Sequence, residues 1–159
     1  MKIIYKNTYK DIFYFMHYTH LRNPVYLGFM GICSLFLGYS EFFKYDIFSF
    51  ILTIIAAVVI FMLFHLVGLL LGFVSMFSKQ NKAFVTEHTI TLSDDSIKEE
   101  TAFGNSELKW NGVQSLKVTG SYIFIYVSKN SAHVIPVKAF QSNEEVEHFV
   151  NYCKVRMAK

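Results

Sequence analysis

Two long runs without charged residues dominate the first half of the chain. The longer run covers residues 47–77, and the shorter covers residues 24–40 and extends to residue 43 if Glu41 is admitted. Crossing the hydrocarbon core of a bilayer takes about 20 apolar helical residues. We therefore predict a transmembrane helical hairpin over residues 24–77, with its turn at residues 41–46.

The segment before this hairpin, residues 1–23, predicts an edge strand followed by a short helix. Residues 3–5 are apolar, and Thr8 precedes Asp11 by three residues, the spacing of a helix N-cap and a carboxylate near the positive end of the helix dipole. We expect a boundary helix on the cytoplasmic side of the membrane.

From Lys79 onward the pattern changes to alternation with a period of two, which is typical of antiparallel strands. The predicted strands cover residues 83–92, 97–103, 106–110, 113–119, 122–128 and 132–137. A final amphipathic helix begins after Ser142, with Glu145 completing a capping box. The predicted fold class is α+β: a two-helix transmembrane hairpin plus a small antiparallel β roll over residues 83–159, similar to a pleckstrin-homology domain and closed by a C-terminal helix.

Composition agrees with this division between two solvents. Of the 159 residues, 53% are hydrophobic and 17% are charged, whereas about a quarter of the residues of a soluble domain are charged. The formal net charge of +3 and the absence of clustered basic residues exclude a strongly basic nucleic-acid binder. Cys33 and Cys153 lack metal-ligand spacing and are expected to be free thiols.

The distribution of basic residues predicts the orientation. One lysine, Lys44, falls in the predicted turn; the basic residues flanking the hairpin are Lys2, Lys6, Lys10, Arg22, Lys79 and Lys82. The positive-inside rule then places both termini in the cytoplasm, in a multi-pass inner-membrane protein. The first residues do not follow the pattern of a cleaved signal peptide.

Small residues recur along one face of each predicted span and are candidates for helix packing. They are Gly31, Ser34 and Gly38 in the first span, and Gly68 and Gly72, with His65, in the second. Close backbone approach is what packs helices in lipid. Two interpretations stay open: packing within the hairpin, and a homodimer seam.

Candidate chemistry is sparse. His65 lies in an apolar segment and could approach His17 and His20, either as a metal or proton-relay site or as neutral hydrogen-bonded imidazoles. Two adjacent acidic pairs, at residues 94–95 and 99–100, are interpreted as solvated charge, and the isolated histidines are His88, His133 and His148. We expect no catalytic residues, no cofactor, no metal and no enzymatic activity.

The second half of the chain resembles the C-terminal domain of the YcxB-like family. The resemblance rests on Trp110 with the following residues to 118, on residues 122–126, and on residues 134–140 with Glu144, Glu145 and Phe149. The family implies a short N-terminal segment, two membrane spans and this domain, so the resemblance extends over the whole chain. We interpret Trp110, Pro136 and Phe140 as structural members of the motif.

These observations favour a non-enzymatic inner-membrane protein that tethers a protein-interaction domain to the cytoplasmic face. Its partners would be the lipid bilayer, an unidentified protein and, in the dimer interpretation, a second copy of the chain. The alternative is an immunity protein against a toxin that acts at the inner membrane.

Overall fold

The computed structural model describes residues 1–42, 47–75, 77 and 83–158. The chain forms two compact units. One unit is helical and covers Phe13–Phe77, whereas the other combines Met1–Ile12 with Ser78–Lys159. Each unit is described separately below.

The helical unit is built from the continuation of α1 and from two longer helices. The helices are α1 (Tyr9–Arg22), α2 (Pro24–Phe42) and α3 (Ile47–Ser75). Asn23 separates α1 from α2 and caps α2, since its Oδ1 accepts hydrogen bonds from the backbone N–H groups of Val25 and Tyr26 at 3.0 and 3.2 Å. Pro24 then occupies the first helical position, where its missing N–H costs nothing.

Helix α2 packs against α3. Within the described part of the chain, one helix is long and apolar enough to cross a membrane, over Ile51–Ser75; the apolar part of α2 found there, Pro24–Cys33, is shorter. Residues 43–46 of the predicted turn lie outside the described residues. Lys79 and Lys82, which follow the predicted hairpin, also lie outside them.

The second unit contains two antiparallel sheets and a C-terminal helix, so the α+β class is confirmed. The first sheet has the order β1-β2-β3-β4 and the second the order β5-β6-β7. The elements are β1 (Lys2–Lys6), β2 (Glu87–Leu92), β3 (Ser96–Thr101), β4 (Gly104–Lys109), β5 (Ser115–Val118), β6 (Tyr122–Tyr126), β7 (Ala132–Pro136) and α4 (Asn143–Met157).

The first strand of this unit comes from the extreme N-terminus. In the β1–β2 pairing Ile3 faces Ile90 and Tyr5 faces His88. The whole helical unit is therefore inserted in the chain between two neighbouring strands of one sheet. Residues 83–159, predicted as a domain, obtain their edge strand from the other end of the sequence.

The core lies between the sheets and α4. Phe149 and Cys153 of α4 are fully buried, and they belong to one cluster with Ile90, Ile125 and Ile135 from the two sheets. The predicted cap of α4 is confirmed, since Ser142 Oγ accepts a hydrogen bond from the backbone N–H of Glu145 at 3.2 Å.

Several strands are shorter than the alternation predicts. Residues 83–85 form a 3-10 turn before β2. The turn predicted at residues 104–105 lies instead at residues 102–103, because Thr101 pairs directly with Gly104 and the Thr101 hydroxyl accepts from the N–H of Phe103 and donates to the Gly104 carbonyl.

The start of α1 is anchored inside the second unit through Asp11. One carboxylate oxygen accepts hydrogen bonds from the N–H and the hydroxyl of Thr8, both at 2.7 Å, as predicted for the cap. The other accepts from the Tyr122 hydroxyl of β6 at 2.8 Å. Burial would raise the pKa of Asp11, but these hydrogen bonds and Lys138 outweigh it and lower the pKa. Asp11 thus stays ionised although it is 3% exposed.

Candidate functional site

A cavity of about 270 Å³ opens in the two-sheet unit. Its lining comes from β1, β2, β3, β4 and β7, together with residues 83–84 and the loop between β6 and β7; no residue of α4 is among the described lining residues. Ligands commonly bind in concave pockets lined by apolar side chains and a few polar groups. This cavity is therefore the candidate site.

A buried carboxylate in the cavity wall joins two histidines. The two carboxylate oxygens of Glu99 lie 2.8 Å from Nδ1 of His88 and 3.2 Å from Nδ1 of His133. Because a carboxylate only accepts hydrogen bonds, both Nδ1 atoms carry the proton. Nε2 of His88 in turn lies 3.4 Å from the carbonyl oxygen of Phe84, which also only accepts, so both ring nitrogens of His88 face acceptors. Nε2 of His133 has no hydrogen-bond partner among the described residues.

The two histidines keep Glu99 ionised. Burial alone would raise the pKa of Glu99, but hydrogen bonds from His133 and His88 and the charge of these rings lower it to about 2. The Glu99 side chain is 19% exposed, so part of the carboxylate is accessible to a small molecule.

Two buried polar atoms at the cavity lack partners in the part of the chain that the structure describes. Asn7 donates a hydrogen bond from Nδ2 to the Val134 carbonyl oxygen at 3.1 Å. Its Oδ1 accepts no hydrogen bond, and the hydroxyl group of Tyr5 also has no partner. The Tyr5 ring stacks on His88 with centroids 5.2 Å apart. Burial and the nearby Glu99 raise the pKa of Tyr5, so the phenol stays neutral.

The interpretation of Glu99 as solvated charge and of His88 and His133 as isolated was wrong. In the β2–β3 hairpin Glu99 faces Ile90, and His88 lies two residues from Ile90, which makes His88 and Glu99 diagonal neighbours on one face. The hairpin register was therefore a usable signal. No local pattern indicates His133, because it arrives from the other sheet.

The helical unit brings together the three histidines that were predicted to approach each other. His65 Nε2 lies 3.1 Å from His17 Nδ1, and the Tyr26 hydroxyl lies 2.9 Å from His65 Nδ1. The His20 ring stacks on Tyr26 with centroids 5.0 Å apart. Tyr26, His65 and His17 thus form a hydrogen-bonded chain, and His20 joins it only by stacking. No set of three metal-ligating side chains is found among the described residues.

The predicted packing residues divide into three groups. A methyl group added at Gly72 would clash with the Met16 side chain of α1, and one at Gly68 would lie 3.7 Å from the Tyr26 hydroxyl, so both glycines pack within the helical unit. A methyl group at Gly31 would meet nothing within 4 Å. Ser34 and Gly38 belong to α2, and their side chains lie outside the described residues.

The three motif residues occupy structural positions. Trp110 is 7% exposed and donates from Nε1 to the Ser93 carbonyl at 3.1 Å. Pro136 is buried at the end of the edge strand β7. Phe140 packs edge-to-face on Phe149 with ring centroids 5.3 Å apart. These contacts fix the second sheet and α4 around the core.

Comparison with known proteins gives one match. Searches of curated proteins and of solved structures found no similar protein. The matched segment includes Glu99 and His133, whereas Tyr5, Asn7 and His88 precede it. Residues 92–153 match the family described as YcxB-like protein, which confirms the resemblance over this segment of the chain.

Proposed function

We propose that the protein is a non-enzymatic integral inner-membrane protein that tethers a pleckstrin-homology-like YcxB-type domain to the cytoplasmic face, where the domain binds a protein partner. In this proposal α2 and α3 form a two-span hairpin, and both termini are cytoplasmic. The proposal is based mainly on the exposed apolar surface of α3.

Apolar side chains are exposed all around α3. Leu52, Val58 and Phe64 lie on three different sides of the helix, about 120° apart around its axis at about 100° per residue, and each is about half exposed. A helix that is apolar on every side needs lipid or protein around it. Lipid suits the length of this helix, since about 20 residues span a bilayer.

The proposal of a two-span hairpin rests on α2. Its contacts with α3 cover only one side, and its other side exposes Val25, Phe29, Leu35 and Phe36. A helix with this surface beside a membrane span is stable only if lipid covers it as well.

The proposed partner surface is the edge strand β4. It ends its sheet, and all its side chains except that of Leu108 are exposed. An edge strand offers unpaired backbone N–H and C=O groups, which an extended segment of another protein can pair with.

Membrane insertion and orientation can be tested together in cells. We expect the full chain to stay in the membrane pellet after carbonate extraction. In a Cys33→Ala background, Lys44→Cys should react with an impermeant maleimide from outside, and Asn130→Cys only after permeabilisation. Release by carbonate, or labelling of Asn130→Cys in intact cells, would contradict the proposal.

The partner can be tested with a photo-crosslinking residue placed at Lys109 of β4, with Glu144 at the exposed start of α4 as control. We expect a distinct adduct with another protein from position 109 and none from 144. Capture of a membrane-active toxin would favour the immunity role. Adducts with the chain itself, or no adducts, would contradict the proposal that β4 is the interaction surface.

A further inference from the structure

The cavity around Glu99 has a composition that selects among ligands. It has acceptors in the Glu99 carboxylate, Asn7 Oδ1 and, in the neutral imidazole, His133 Nε2. No lysine or arginine is among the described lining residues. A negatively charged ligand would therefore meet the Glu99 carboxylate, and the two histidines beside it already donate to that carboxylate.

We propose that this cavity binds a small primary amine in its protonated form, with Glu99 as its counterion. The site goes beyond the proposed membrane tether and does not depend on it. An ammonium group has three donors and no acceptor, which matches a wall that offers acceptors.

The two unpartnered atoms support this choice independently of charge. Asn7 is 3% exposed and Tyr5 is 6% exposed, and a buried polar atom without a partner is unfavourable. Both residues line the cavity. An ammonium group bound there would offer donors to Asn7 Oδ1 and to the Tyr5 oxygen.

The remaining wall suits a short apolar chain attached to the amine. Phe84 and Phe103 line the cavity and are 50% and 62% exposed. Aromatic faces also attract cations. A volume of about 270 Å³ corresponds to roughly nine water molecules at about 30 Å³ each, which limits the ligand to small molecules.

The test compares two probes of nearly equal shape, 4-amino-1-butanol and 1,4-butanediol, added to the full chain in detergent micelles. Binding is followed by NMR of the histidine side-chain nitrogens. We expect the amine to shift His88 and His133 saturably and to bind at least about tenfold more tightly than the diol, as a charge-assisted contact requires. Equal affinities, or no saturable shift with the amine, would overturn the proposal.

Variants identify the counterion. Glu99→Gln should abolish the preference for the amine, while Glu100→Gln, the neighbouring exposed residue on the same strand, makes the same charge change and should retain it. Retention in Glu99→Gln would overturn the proposal. Should Glu99→Gln not fold, the wild-type comparison of the two probes decides.

Discussion

At the residue scale, Glu99 shows how a surface-like sequence position becomes a buried charge. Its neighbour Glu100 has the same side chain and points to solvent. The alternation of a strand separates the two, and the hairpin register adds His88 to the same face. The environment of two adjacent acidic residues can therefore be predicted only when the strand register is known. The contact with His133 of β7 could not be predicted in this way, because it depends on how the two sheets pack.

Glu99 should make the stability of the domain depend on pH. Its folded pKa of about 2 lies below the usual value of 4.5, so its contribution is fully present above about pH 4.5 and is lost as pH falls toward 2. With allowance for solvent screening we expect about 2 kcal/mol. Thermal unfolding of Glu99→Gln against wild type should show this difference at pH 7 and none near pH 2.

Glu100→Gln is the control for this measurement. It removes the same charge from an exposed position, where substitutions usually change stability by less than about 0.5 kcal/mol. A difference between Glu99→Gln and wild type that persists at pH 2 would contradict the linkage and point to a packing defect.

At the element scale, helix starts were readable from the sequence and strand ends were not. Thr8 with Asp11, and Ser142 with Glu145, act over three residues, so the caps form from local contacts. The end of β4 depends on a distant contact, since Trp110 leaves the strand direction where its indole donates to Ser93. Alternation alone cannot place such an end.

The bond between Asp11 and Tyr122 should hold the start of α1 to β6. Hydrogen bonds to a charged group contribute about 1.5–3 kcal/mol, so Tyr122→Phe should destabilise by about that amount. Asp11→Ala should cost more, because the cap of α1 is lost as well. A double-mutant cycle from chemical unfolding should give a coupling of about 1–2 kcal/mol, whereas strict additivity would show that the contact contributes nothing.

Lys138→Met is the matched control for the Asp11 cycle. Its Nζ lies 3.8 Å from Asp11 Oδ1, but its side chain is 68% exposed. An exposed ion pair of this kind contributes at most about 1 kcal/mol. A loss as large as that of Tyr122→Phe would show that charge rather than the buried hydrogen bond fixes Asp11.

Helix packing in the helical unit gives a prediction that separates the two interpretations of its glycines. Gly72→Leu should disturb the contact with α1, because even a methyl group there overlaps the end of the Met16 side chain. The flexible methionine can give way in part, so we expect a loss of about 1–3 kcal/mol, partly restored by Met16→Ala. Thermal unfolding in micelles measures both variants.

Gly31→Leu is the counterpart, since a side chain there meets open space. It should leave the unfolding of the monomer unchanged. Dissociation of a dimer by Gly31→Leu, measured by light scattering in micelles, would favour the homodimer seam at the α2 face; no effect of Gly72→Leu would contradict packing within the unit.

At the scale of the whole molecule, the change in hydrophobic pattern along the chain did not indicate which segments form one unit. The boundary predicted near residue 83 follows the change in hydrophobic pattern, whereas the two-sheet unit also contains Met1–Ile12. The edge strand predicted at residues 3–5 is present as β1, but a five-residue strand with two buried side chains is too short for its pattern alone to identify the strand with which it pairs.

The N-terminal strand should be required for folding of the YcxB-like domain. Ile3 and Tyr5 are 4% and 6% exposed, and burial of such side chains contributes about 1.5–3 kcal/mol each, a large part of a typical stability of about 5–15 kcal/mol. Residues 83–159 alone also leave β2 as an open edge. We expect that fragment to give a poorly dispersed NMR spectrum or to aggregate.

Joining the two parts of the unit directly should restore the fold without the helical unit. Ile12 and Ala83 both line the same cavity, so a flexible Gly-Ser linker of about eight residues, with an average span of about 16 Å, can connect residues 1–12 to residues 83–159. This fusion should be water-soluble and well dispersed by NMR. A folded 83–159 fragment, or an unfolded fusion, would show that β1 is not what completes the domain.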